Sequence, residues 1–191
     1  MLRSMKTVAA CTALAVVAPA FAQDGFDYSY VEAGWAQTHL NPGLPDGSGF
    51  GANVSVALGS NFHFAGGYLD QDFSGLKAKA YDAGFGFNRS LTSGLDLVGR
   101  ALYLNAKVES GSASVTDNGY GVSLLLRGRL LPRFELGGGL GYESLRNTGN
   151  TTDFNINGVY SFTDHVHAVG GFVFGDGAHT VELGLRYSFG K

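Results

Sequence analysis

Residues able to do chemistry are thinly spread along this chain, which holds five histidines and one cysteine in 191 residues. His165 and His167 form the closest pair, and they open a strand-like segment. His179 falls across the following hairpin, a strand's length away from them. A lone histidine on a polar strand face, such as His63, reads as hydrogen-bonded fill. No metal site and no cofactor are expected. Hydrolysis or acyl transfer would need nucleophile, base and orienting acid within hydrogen-bond reach. His39, Asp46, Ser48, Asp70, Asp72, Asp176 and His179 are the candidates. No local motif joins them, and Asp and Ser are ordinary turn residues. The chain reads as non-enzymatic.

The elements that must position these residues repeat with period two. Tyr120, Val122, Leu124 and Leu126 alternate with Gly121, Ser123, Leu125 and Arg127. Val181, Leu183, Leu185, Tyr187 and Phe189 alternate in the same way with Glu182, Gly184, Arg186 and Ser188. Such alternation marks half-buried strands. Ten segments share it: 26–38, 49–59, 61–71, 77–88, 95–108, 118–130, 133–144, 152–162, 165–175 and 179–189. Near 11 residues each, tilted strands of this kind cover roughly 25 Å of apolar thickness. Connections of 39–48, 70–76, 109–117 and 145–151 read as longer loops, and those at 59–61 and 131–133 as short turns.

Composition narrows the class. Thirty glycines and 13% aromatic residues, without a Gly-X-Y period, exclude collagen and disorder. A net charge of −3 excludes a basic nucleic-acid binder. Arg3 and Lys6, the apolar run from Val8 to Val17 and Ala20-Phe21-Ala22 form a secretory signal peptide over 1–22. Cys11 leaves with it, and it stands early in the apolar run and not after it, where a lipoprotein box would belong. The mature chain, 23–191, is expected to be one barrel domain without thiol chemistry.

The two faces of the strands separate a membrane barrel from a soluble one. On the apolar face, Trp35, Phe50, Tyr68, Tyr81, Tyr103, Tyr120, Tyr142, Phe154 and Phe172 fall near one level. Phe62, Phe87, Phe134, Phe162, Tyr187 and Phe189 fall near the other. Small and aliphatic residues lie between, as in the two aromatic girdles of a membrane barrel. The opposite face carries Glu32, His63, Asp82, Asp96, Arg100, Arg127, Arg129, Glu135, Glu143, His167, Glu182 and Arg186, a set of mixed sign suited to a lumen. The expected fold is all-β: a closed antiparallel up-and-down transmembrane barrel of ten strands, or eight if 152–162 and 165–175 do not both span. Arg100, Arg127, Arg129 and Arg186 are expected to pair with Asp96, Glu135 and Glu182. Gly51, Gly84, Gly86, Gly137, Gly139 and Gly141 are expected to leave room for a narrow channel.

On this pattern the chain resembles the small outer-membrane β-barrels of Gram-negative bacteria, the group of OmpX and the OmpA N-terminal barrel. The C-terminal Val181-x-Leu183-x-Leu185-x-Tyr187-x-Phe189 resembles that group's barrel-assembly signal, although Gly190-Lys191 follow the aromatic residue. The run Tyr28-Ser29-Tyr30-Val31-Glu32-Ala33-Gly34-Trp35 also resembles a small-barrel subfamily regulated by a diffusible fatty-acid signal. The resemblance implies a monomer in the cell outer membrane with both termini periplasmic. Implied partners are outer-membrane lipid, lipopolysaccharide and the barrel-assembly machinery, with no nucleic acid. The expected role is structural or surface-interacting. A narrow water or small-solute channel, and a lipid- or peptide-modifying enzyme, are the alternatives.

Overall fold

The computed structural model describes residues 26–190, so the expected signal peptide and Cys11 lie outside the described residues. Ten strands follow in order: β1 (Tyr30–Leu40), β2 (Gly47–Ala57), β3 (Phe62–Phe73), β4 (Leu76–Thr92), β5 (Leu95–Ser110), β6 (Ala113–Leu131), β7 (Phe134–Leu145), β8 (Gly149–Ser161), β9 (Val166–Gly175) and β10 (Ala178–Ser188). Each pairs antiparallel with its neighbours in sequence, and β1 closes on β10 from Tyr30↔Ser188 to Leu40↔Ala178. The fold is a closed ten-stranded barrel. The eight-stranded alternative is set aside, because β8 and β9 pair in the wall from Asp153↔Gly175 to Ser161↔His167.

Three expectations about the connections are corrected, one of them 145–151, which is ladder-paired to Leu145↔Gly149 around a short turn. The segment 109–117 is not a loop: Val108 pairs with Val115 and Ser110 with Ala113. The β3–β4 connection is also a tight turn, with Ser74 at φ 53° and Gly75 at φ 94°. Two successive positive φ values suit the right-handed twist of a hairpin, and glycine adopts one without steric cost. Polar residues that read as loop are therefore ladder-paired strand. The end that carries both termini is here called the terminal end, and β4 and β6 run on there to Thr92 and Leu131. At the far end β5 and β6 run on past Tyr103 and Tyr120 for roughly 20 Å of strand.

Alternation then decides what each side chain meets. Leu124 is 56% exposed on the outside, whereas Leu125, its neighbour in β6, is 1% exposed in the lumen. The outer surface repeats this on every wall, with Phe50, Phe85, Leu140, Leu183 and Leu185 all exposed. Aromatic residues pair across strands at both levels: Tyr68 with Tyr81 at 5.0 Å, Phe62 with Phe87 at 5.3 Å. An apolar belt of this extent is far larger than a soluble monomer leaves open to water.

The belt has a depth-dependent consequence. Leu124→Arg should destabilise the barrel by about 2–4 kcal/mol in lipid vesicles, whereas Thr116→Arg, beyond the belt on the same strand, should cost about 0–1 kcal/mol. Urea titration of the refolded variants measures both. Equal losses at the two positions would mean that β6 does not cross hydrocarbon at Leu124.

Candidate functional site

The residues predicted for the lumen all point inward. Glu32, His63, Asp82, Asp96, Arg100, Arg127, Glu135, Glu143 and Arg186 are buried, and Arg129 and Glu182 half-buried. Of the residues predicted for the girdles, Tyr81, Tyr103, Tyr120, Phe62, Phe87, Phe162 and Phe189 are exposed on the outer wall. Trp35, Tyr68, Tyr142 and Phe134 are partly exposed there. The lumen divides into three levels of different chemistry.

At the terminal end the chain plugs its own barrel. Residues 26–29 were expected to begin the first strand; they precede it, and Phe26, Tyr28 and Ser29 are buried in the mouth. Phe26, Tyr28 and Tyr30 point inward, 3%, 3% and 1% exposed, and pack with Val98, Leu125, Val159 and Val169. Cations cover the rings: Arg127 and Arg129 lie 5.1 and 5.2 Å from the Phe26 centroid, and Arg186 lies 4.1 Å from that of Tyr30. For the desolvated Arg127 and Arg186 such a contact is worth about 2 kcal/mol, and for the partly exposed Arg129 less. Tyr28 donates its hydroxyl to Asp96 at 3.3 Å, and its ring meets His63 at 4.8 Å. Ser55 Oγ donates to the Tyr28 carbonyl at 2.8 Å, and the amide of Phe189 donates to that of Ser29 at 2.9 Å. The plug is thus fastened to both β2 and the C-terminal strand.

The charges around the plug pair as expected for Arg127 and Arg129 and otherwise for Arg186. Arg127 bonds Glu135, which also lies 3.6 Å from Arg129. Arg186 takes Glu32, directly opposite it across the closing seam, with Nε donating to Oε1 at 2.5 Å. Glu182 stands four residues away on the same strand, where the register sets it against Ala36. Asp96 accepts the hydrogen bond from the Tyr28 hydroxyl. The sequence signal for these pairs was side-chain parity; the partner choice depends on register across two strands.

The middle level is polar. Arg100 Nε and Nη2, Glu143 Oε2, both Asp153 carboxylate oxygens and both Asn155 amide atoms have no hydrogen-bond partner among the described residues. Buried polar atoms of this kind are held by water. A cavity of about 70 Å³ lies here, lined in part by Glu32, Asn53, Asn155, Asn157, Glu182 and Arg186. That volume suits a few water molecules. The expected glycine space is otherwise taken: a Cβ on Gly86 would strike the His63 ring, and one on Gly141 the Asp153 carboxylate.

The far end is apolar, which the sequence reading missed. Leu40, Phe73, Ala78 and Val108 are buried together and packed by Leu44, Leu76 and Ala178. Phe73 is wholly buried, with its ring seated over Gly47. Beneath them Thr38 Oγ1 and Thr180 Oγ1 share a 2.8 Å hydrogen bond, and Gln71 Nε2 donates to Thr38 Oγ1 at 3.0 Å. Side chains from β1, β3, β4, β5 and β10 thereby meet across the mouth.

The far rim brings together residues that looked dispersed. His39 faces His179 across the closing seam, with ring centroids 5.0 Å apart, and its Nδ1 lies 2.8 Å from Asp46 Oδ2. The structure gives no hydrogen bond joining Ser48 to this pair, so no nucleophile is assembled there. Lys79 lies 3.8 Å from Asp70 and 3.9 Å from Glu109, and Lys107 binds Glu109 at 2.5 Å. Contact with the two lysines, Lys107 first, holds the Glu109 carboxyl below the ordinary range. A further residue absent from the predicted set is Asp117, which fixes the β7–β8 turn. It accepts from the amides of Asn147 and Thr148 at 2.9 and 2.7 Å, and from Thr148 Oγ1 at 2.7 Å. Burial pushes its carboxyl up, but hydrogen bonds from Thr148 and Asn147 outweigh this and hold it low.

Because its folded value is depressed, Asp117 supports the turn above the ordinary carboxyl range, near 4. That support should be lost as pH falls through the lower folded value. Amide exchange at Asn147 and Thr148 is the readout. Asp117→Asn should remove about 1–3 kcal/mol of local protection at neutral pH. Protection unchanged in this variant would contradict the assignment.

No family model matches the chain, and no curated protein matches it. Among solved structures, the KdgM porin in complex with disordered oligogalacturonate is similar at a TM-score of 0.48 and 13% identity, over 84% of this chain and 99% of that one. The NanC porin is similar at 0.47 and 10%, over 84% and 100%. Ail of Yersinia pestis, solved with the heparin analogue sucrose octasulfate, is similar at 0.45 and 15%, over 84% and 97%. What the chain does is read from its own lumen and surface.

Proposed function

We propose that the chain is a non-enzymatic outer-membrane β-barrel with a closed lumen, serving a structural or surface-interaction role. The observation that carries this reading is the filling of the lumen from both ends. Phe26, Tyr28 and Tyr30 with their arginines fill the terminal end, and Leu40, Phe73 and Val108 fill the far end. The exposed outer belt supports residence in a bilayer, where a closed sheet leaves no strand edge unsatisfied. The projecting β5–β6 hairpin, with Val115 exposed, offers a surface outside the membrane. Lys77, Lys79 and Lys107 share the outer wall beyond Tyr81 and Tyr103, which suits contact with lipopolysaccharide. The C-terminal alternation ending at Phe189 suits the barrel-assembly machinery. A narrow channel is favoured by the polar middle level alone, and its passage needs both ends displaced.

Planar-bilayer recording separates these readings. The purified wild-type barrel should insert without discrete conductance steps. Reproducible steps from wild-type protein would overturn the closed lumen in favour of the channel, and turnover of lipid or peptide substrate would restore the enzyme class.

A further inference from the structure

The His39–His179 pair at the far rim has a geometry that neither lumen nor belt uses. The two histidines stand directly opposite each other on β1 and β10, the strands that close the barrel. Both side chains lie on the outer wall, beyond the level of Trp35, and His179 is exposed. Their rings stack at 5.0 Å with 26° between planes. Asp46, just before the first residue of β2, accepts from His39 Nδ1 at 2.8 Å when that nitrogen carries the proton. That hydrogen bond leaves His39 Nε2 as the acceptor nitrogen. A carboxylate bonded to the far nitrogen of an imidazole is the arrangement that orients a histidine for a metal ion and raises its basicity.

We propose that His39 and His179 form a two-histidine site for a divalent d-block cation of the zinc type, with Asp46 orienting His39 and water completing the coordination. Imidazole nitrogen suits zinc, copper and nickel, whereas calcium and magnesium need oxygen cages. Two imidazoles on one tetrahedral ion hold their nitrogens roughly 3.3 Å apart, as follows from zinc–nitrogen bonds near 2.0–2.1 Å. Coordination requires the exposed His179 side chain to turn out of the present stack until its ring nitrogen stands at that separation from His39 Nε2. Among the described residues no three His, Cys, Asp or Glu side chains are grouped to hold one ion. The site is therefore open, with protein ligands from two strands only. Bound metal would cross-link β1 and β10 at the end of the seam.

The test is zinc titration by calorimetry of the full mature barrel, free of any histidine tag and refolded in detergent. One zinc ion per chain is expected for wild type, and none for His39→Ala or His179→Ala. Asp46→Asn should bind about tenfold or more weakly, as loss of an orienting carboxylate does. His165→Ala, at the terminal end, should bind as wild type, and calcium should give no heat. Heat-dependent gel mobility shared with wild type identifies folded variants, and His179→Gln replaces His179→Ala if the latter does not fold. Absence of zinc binding at millimolar concentration would overturn the proposal and leave a stacked, hydrogen-bonded pair. So would stoichiometric binding that persists in the folded His39→Ala variant.

Discussion

A strand in hydrocarbon has no water to satisfy its unpaired edge, and so the pairing of β1 with β10 is the contact on which the barrel depends. It runs unbroken from Tyr30↔Ser188 to Leu40↔Ala178. Sequence places these strands at opposite ends of the described chain, so closure is the least local pairing in the molecule. It also sets the chemistry of the lumen. Glu32 meets Arg186, Thr38 meets Thr180 and His39 meets His179 only because this seam closes in this register.

Closure creates a second demand, because a ring of ten inward faces encloses volume that something must fill. The chain fills it with different material at each level. Aromatic rings under guanidinium groups occupy the terminal end, polar side chains the middle, and aliphatic side chains with Phe73 the far end. Buried ion pairs such as Arg127–Glu135 are poor evidence for stability by themselves, since desolvation offsets their attraction. Here they hold the arginines over Phe26 and Tyr30, so charge pairing and plug packing act as one unit. The plug residues continue the even-numbered inward parity of β1, and the wall and its stopper are a single run of sequence.

Much of this was legible from alternation. Leu124 and Leu125 are chemically identical, yet their places in a period of two assign one to the outer wall and the other to the lumen. Within the belt the same parity sorted most aromatic residues from the charged ones, while Tyr30 and Phe73 point inward. Three features escaped it for physical reasons. Phe26 to Ser29 are extended whether paired in the wall or lying in the mouth, so spacing does not distinguish plug from strand. Glu109 to Asp117 has the Ser, Gly and Asp of a loop, but its neighbours across the hairpin supply a ladder that composition does not reveal. His39, Asp46 and His179 meet through the register of non-neighbouring segments, which no local spacing encodes. The apolar far end was hidden differently: Leu40, Phe73 and Val108 fall on the inward parity, where attention to charge passed over them.

The central claim is that one face of each strand meets lipid while the other closes a packed lumen. Spin labels at single introduced cysteines along β6 test it most directly, in a chain whose own Cys11 is replaced by serine. In lipid vesicles, labels at Val122, Leu124 and Leu126 should collide with dissolved oxygen and be shielded from a water-soluble relaxation agent. Labels at Gly121, Ser123 and Leu125 should be shielded from both. Access of the water-soluble agent to the even-numbered positions, or the absence of any period of two, would contradict it.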